Sequence, residues 1–401
     1  MARKHRLIAG GISAAVAAAA IGTVAALPAN ATPTETEGKV IGANSADAIK
    51  GSYIVTMKKS AVNVKTDQAE GKSVIADHGG KVRKTFTEVL NGYSAAMSEG
   101  EARELAADPA VDKVFANEKG RLTGEQDNPP SWGLDRIDTP ELKLDQKYKY
   151  PDKAGEGVTV YVVDTGVEAT HPDFGGRAKS GTDVVDGDDD ATDGHGHGTH
   201  VASTVAGEKY GVAKKADIVG VRVFDNGGHG TAENVIAGLD WVVKNASGPS
   251  VVNLSSIFNA HEALDTAVRN TIAKGITFTV AAGNFWMDAG KWSPQRVTEA
   301  LTVGATNNTD AQAGYSNYGK VLDLYAPGSG IVGAGLHGGE ATMSGTSMAA
   351  PHVAGVAAVY LAGHPDAKPD AVAKALTDGA SKGVVGKPGP GSPNLLLNVV
   401  E

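Results

Sequence analysis

The 401-residue chain contains no cysteine. That absence excludes disulfides, thiolate metal sites, iron–sulfur clusters and a cysteine nucleophile together. Basic residues are not in excess either: 37 Lys and Arg against 46 Asp and Glu leave a net charge of −9. The electrostatic signature of a polyphosphate-binding domain is therefore missing. Glycine is plentiful, at 52 residues, but follows no three-residue period. Collagen is ruled out, and tight turns and close backbone approaches remain as its use. With 41% hydrophobic and 21% charged residues, the chain can bury a core and is not broadly disordered. At roughly 150 residues per domain, its length allows two or three domains.

Beyond the first thirty residues no run is long and apolar enough to cross a membrane. Arg3, Lys4, His5 and Arg6 form a positive head, and an Ala-rich apolar run follows over residues 7–27. Pro28-Ala29-Asn30-Ala31 then offers a small-x-small cleavage site, so residues 1–31 read as a secretory signal. A membrane anchor is the alternative, because some twenty apolar residues can just span a bilayer; alanine is a weak membrane residue. The mature protein is expected outside the cell and off the membrane, stabilised by packing and bound metal rather than disulfides.

Residues 51–118 alternate strand-like runs (Tyr53-Ile54-Val55-Thr56-Met57, 82–86, 92–97, 111–115) with helical stretches at 66–78 and 99–107, the second capped by Ser98. This is a compact α+β unit. Residues 119–130 read as a polar linker. Beyond it, β-branched runs such as Val158-Thr159-Val160-Tyr161-Val162-Val163 recur at 217–223, 251–254, 276–281 and 301–303. Helical patterns separate them at 198–206, 231–244, 260–274 and 347–362. Strand–helix alternation of this kind predicts an α/β domain with a parallel sheet flanked by helices. Reactive groups then belong at the carboxyl ends of the strands.

Asp164 ends the first of these strands. His197 opens a helix in His195-Gly196-His197-Gly198-Thr199-His200, and Ser347 sits in Gly345-Thr346-Ser347-Met348-Ala349-Ala350-Pro351, a turn leading into a helix. The chain order Asp…His…Ser is that of subtilisin, and differs from that of chymotrypsin and of α/β-hydrolases. A zinc reading of the histidines fits poorly, because His197 and His200 are three apart with no acid between them. A nucleophile elbow fits no better, since Gly345-Thr346-Ser347-Met348-Ala349 lacks the second glycine.

These motifs, with Ser316-Asn317-Tyr318-Gly319 and Ala281-Ala282-Gly283-Asn284, make the chain resemble a secreted subtilase of the proteinase K branch, preceded by its inhibitory propeptide. The resemblance implies a subtilisin-like fold over 124–401 and a ferredoxin-like propeptide over 32–123. It implies a serine endopeptidase made as a self-processing zymogen, acting on protein or peptide substrates, with no nucleic-acid partner and a monomer as the family default. Ser347 would be the nucleophile, His197 the base, Asp164 its orienting acid and Asn284 an oxyanion donor. His200 would be structural, and His195 and Asp193 part of a solvated loop. Gly230, Ser255, Ser256, Ile257 and Phe258 would line the substrate cleft. The propeptide would fold the enzyme, inhibit it through its tail, and be cut between 119 and 128, close to 122–124.

A structural Ca²⁺ is implied at Asp323 with the carbonyls of Thr298 and Ala300; oxygen-only ligation suits that ion. A second site near Asp135 and Asp138 meets Lys147 where a ligand would be expected, and the acidic run 186–190 reads as a solvated loop. The chain departs from the family at three places. Ile257 and Phe258 replace glycines on the substrate strand, where a second backbone must approach. Phe285 follows the oxyanion asparagine, and Ser203 stands for a glycine in the histidine helix. These departures leave open a second reading, a catalytically impaired secreted binding protein on the same scaffold.

Overall fold

The computed structural model describes residues 38–45, 48–58, 69–118 and 123–400. The expected signal peptide, and residues 119–122 of the expected processing segment, lie outside them. The chain divides into two compact units, Met1–Gly120 and Arg121–Glu401.

In the first unit the strands Ala48–Met57, Lys81–Phe86, Gly92–Ala96 and Val111–Glu118 alternate with the helices Ala69–Asp77 and Glu99–Ala107. Val111–Glu118 pairs with Ala48–Met57, which pairs with Gly92–Ala96, which pairs with Lys81–Phe86. That is the ferredoxin-like order, and the two-residue strand Val40–Ile41 adds one further edge. Val55, Ile75, Tyr93, Leu105 and Val114 form its core. Ser98 caps the second helix in a reciprocal pair with Glu101, as the Ser-x-x-Glu spacing requires.

The second unit is built on a parallel sheet. Its strands run Leu395–Leu396, Leu324–Pro327, Leu301–Thr306, Thr277–Ala281, Ser250–Leu254, Thr159–Asp164, Asp217–Arg222 and Ala178–Asp183, with antiparallel Ser381–Lys382 at one edge. Thr159–Asp164 explains the continuous apolar run found in its sequence. Val160 and Val162 face one core, shared with the helices His197–Ala206 and Thr346–Gly363. Tyr161 and Val163 face the other, under Ala232–Asn245 and Glu262–Ala273. A strand buried on both faces has no polar side to alternate with. The strand order also reverses here: Asp217–Arg222 lies on one side of Thr159–Asp164 and Ser250–Leu254 on the other. Such a switch point opens a crevice at the strands' carboxyl ends.

Thr346–Gly363 has 15 of its 18 residues buried, so it is a core helix rather than an amphipathic surface one. The expected linker is in part a strand. Thr123–Asp127 pairs antiparallel with Lys147–Pro151, and Lys147 Nζ reaches Glu125 at 2.5 Å and Asp127 at 3.6 Å. Its polar sequence concealed it because cross-strand charges, not an apolar face, hold it. Lys147 is thereby turned to these two acids.

Candidate active site

Asp164 closes its strand at the switch point and is 2% exposed. Its Oδ1 accepts from its neighbour Thr165 N at 2.8 Å and lies 2.7 Å from His197 Nδ1. The carboxylate therefore fixes the tautomer with the proton on Nδ1 and leaves Nε2 free to act as a base. His197 is the first residue of its helix, and that helix comes very close to the strand end. A β-carbon on Gly198 would sit 2.1 Å from the Gly166 carbonyl, so only glycine fits behind the histidine.

The helix N-cap, Gly196, offers no side chain. Asp193 takes its place. Oδ1 accepts from Thr165 Oγ1 and from the N–H groups of His195 and Gly196, and Oδ2 from the Thr199 N–H and hydroxyl, all at 2.7–2.9 Å. Asp193 is 4% exposed, which corrects the expectation of a solvated loop; His195 beside it is exposed. The carboxylate is drawn in because a helix start leaves several N–H groups unpaired. An acid four residues ahead of the helical His197 was the available signal.

Burial, the largest influence on His197, works to lower its pKa. The charge and hydrogen bond of Asp164, helped by Asp193, outweigh it and hold the pKa above 6.5. His200 goes the other way, pushed down to about 4 by burial; its Nε2 donates to the Ile331 carbonyl at 3.1 Å. A buried, neutral ring already engaged there is structural, as expected.

Ser347 is the second residue of its helix. Pro351 stands four residues on and has no N–H, so the helix cannot satisfy the Ser347 carbonyl. Ser255 does so instead: its Oγ donates to that carbonyl at 3.0 Å. Asn253 Nδ2 donates to Ser255 Oγ at 3.0 Å, and Thr279 Oγ1 donates to Asn253 Oδ1 at 3.0 Å. A buried chain of hydrogen bonds thus ties the serine to two neighbouring strands. Ser347 Oγ donates to the Ser255 carbonyl at 3.3 Å and shares no hydrogen bond with His197 in this resting geometry. Such contacts commonly tighten only when substrate is bound.

Asn284 Oδ1 accepts from both the N–H and the hydroxyl of Thr346, at 2.8 and 2.9 Å. With the oxygen held, Nδ2 faces Gly345 and the serine; a β-carbon on Gly345 would lie 3.2 Å from it. The amide is thus aimed as a donor beside Ser347.

A cleft of about 370 Å³ runs past Asp164, His195, His197, Phe224, Gly227, Gly228 and 255–257. Gly230 lies behind its wall, against Val223 and Phe224. Phe258 stacks on Phe224 with ring centroids 6.2 Å apart, and Phe285 on Trp292 at 5.6 Å. Ser203 is accommodated without strain: its hydroxyl donates to the His200 carbonyl at 2.9 Å and accepts from Ala334 N at 2.8 Å.

Away from the triad, burial pushes the Asp323 pKa up to about 7, opposed by one Thr302 N–H at 2.8 Å. Ala300 is buried and Thr298 exposed on the segment leading to Thr302. Among the described residues no group of three or more His, Cys, Asp or Glu could hold a metal.

Residues 155–394 match the family described as "Subtilase family", and residues 52–123 match "Peptidase inhibitor I9". The chain is 44% identical over 380 residues to an extracellular serine proteinase of Thermus sp. (strain Rt41A), covering 90% of this chain and 92% of that protein. It is 44% identical over 345 residues to a subtilisin-like serine protease of Penicillium rubens, covering 81% and 85%. The crystal structure of a cold adapted subtilisin-like serine proteinase superposes with a TM-score of 0.66 at 50% identity, covering 67% of this chain and 98% of that one. The chain belongs to the subtilase family, with the family's inhibitor propeptide ahead of the peptidase unit. It is a subtilisin-like serine endopeptidase made as a zymogen, and nothing supports the impaired alternative.

A base held above 6.5 must lose its proton to work. We expect kcat/KM of the mature protein to rise with pH through an apparent pKa above 6.5. A rate that stays flat from pH 5 to 9 would contradict His197 as the base.

Proposed function

We propose that Ser347 Oγ attacks the peptide carbonyl while His197 Nε2 takes its proton. Asp164 stabilises the resulting imidazolium. The tetrahedral oxyanion forms between Asn284 Nδ2 and the Ser347 backbone N–H at the helix N-terminus. His197 then returns the proton to the leaving amine, and water resolves the acyl-enzyme by the same steps in reverse order. The observation that carries this reading is the paired restraint of the reacting groups: Asp164 on Nδ1 of His197, and Thr346 on Oδ1 of Asn284. Each restraint occupies one atom of the group and leaves the other, Nε2 of His197 or Nδ2 of Asn284, available for the reaction. Preorganised donors cost nothing to reorient when charge develops, which makes them the largest single contribution in acyl transfer.

Residues 1–31 are read as the export signal, the propeptide as ending near 122–124, and the mature protein as an extracellular monomer. The extracellular Thermus relative supports the location. The test of the site is Asn284→Ala. Its kcat should fall roughly 10²–10³-fold with KM little changed, the scale known for removing one oxyanion donor from subtilisin, a relative of this chain. Unchanged kcat would remove Asn284 from the mechanism.

Calcium is proposed at Asp323, with the Thr298 and Ala300 carbonyls as further ligands. A half-buried carboxylate with a single N–H partner and a pKa pushed up to about 7 lacks a countercharge, which a divalent ion supplies. Carbonyl and carboxylate oxygens suit Ca²⁺ rather than zinc. Chelation should lower Tm by several degrees, since a ligand at a hundred times its Kd contributes about 2.7 kcal/mol. Asp323→Asn should abolish that shift. A Tm indifferent to chelator would count against the site.

A further inference from the structure

We infer that Ile257 closes the crevice that receives the side chain on the acyl side of the scissile bond, so that this enzyme cleaves after small residues and discriminates against large ones. The inference rests on the triad and oxyanion assignments above.

The position of the crevice follows from the reacting atoms. An acyl carbon bonded to Ser347 Oγ, with its oxygen on Asn284 Nδ2, carries its first substituent carbon about 1.5 Å away. The Ser255 carbonyl stands 3.3 Å from Ser347 Oγ on one side, and Gly283-Asn284 stand on the other. The side chain on that carbon therefore enters between residues 255–257 and 281–284. These are the ends of two paired parallel strands, in register up to Leu254 and Val280. Past that pair they are joined by Gln295, whose Nε2 donates to the Ser256 carbonyl at 2.8 Å and the Ala281 carbonyl at 2.7 Å.

Ile257 crosses this gap. Its Cδ1 lies 2.6 Å from the position a β-carbon on Gly283 would take, so the side chain spans from one wall to the other. A Phe or Leu entering there must displace it. A methyl or hydrogen on that carbon does not reach Ile257.

The test uses mature protein with calcium and the substrates succinyl-Ala-Ala-Pro-Ala and succinyl-Ala-Ala-Pro-Phe p-nitroanilide. The readout is the ratio of their kcat/KM values, which does not depend on how much of a variant is folded. For the natural chain the ratio should favour Ala by about 10-fold or more. Ile257→Ala and Ile257→Gly should lower it progressively, by about 10-fold or more for glycine. A natural chain that prefers Phe, or a ratio that neither variant moves, overturns the inference. Phosphorylation of Ser347 by diisopropyl fluorophosphate, followed by mass, separates the two levels of the argument. Labelled protein that cleaves neither substrate refutes the small-residue reading and leaves the triad standing. Protein that takes up no label refutes the triad, and this inference with it.

Discussion

The nucleophile is held by a carbonyl that its own helix cannot satisfy. Pro351 removes the N–H that would close the first turn on Ser347, and the Ser255 hydroxyl replaces it. An unpaired buried carbonyl costs about 1–3 kcal/mol, enough to pin the start of the helix to the end of the Ser250–Leu254 strand. Because that strand pairs with Thr159–Asp164 on one side and Thr277–Ala281 on the other, one hydrogen bond relates the serine to the strands leading to Asp164 and to Asn284. Errors of about an ångström at such a site cost a hundredfold in rate, so this tie governs everything that follows.

Much of the fold was legible in the sequence because it rests on burial. The runs at 158–163 and 251–254 are strands covered on both faces, and the Ala-rich 347–362 is a helix covered on all sides. Elements held by other forces were missed. The edge strand Ala178–Asp183 is polar and half exposed, Thr123–Asp127 depends on cross-strand charges, and the helix Pro369–Gly379 buries only Val372 and Leu376. The site divides in the same way. Asp164, His197, Ser347 and Asn284 sit in local motifs that sequence carries directly. Asn253, Thr346 and Gln295 act by hydrogen bonds to partners far along the chain, which no local pattern reveals, whereas Asp193 bonds chiefly its near neighbours His195, Gly196 and Thr199.

The departures from the family pattern have a common physical character. Each replaces space with a side chain that finds a partner: Ser203 bonds the Ala334 N–H, Phe285 stacks on Trp292, and Phe258 stacks on Phe224. None breaks the restraints on the reacting groups. They reshape what surrounds the reaction rather than the reaction itself, which is why the chain retains the machinery of a peptidase while its cleft differs.

The central claim is that Ser347 works in place with His197 and Asp164. Intact mass of the secreted protein in calcium buffer, natural chain beside Ser347→Ala, tests it most directly. The natural chain should lose its propeptide, and its mass should give the junction. Ser347→Ala should keep the propeptide. A Ser347→Ala protein that, once purified, processes itself as the natural chain does would contradict the account.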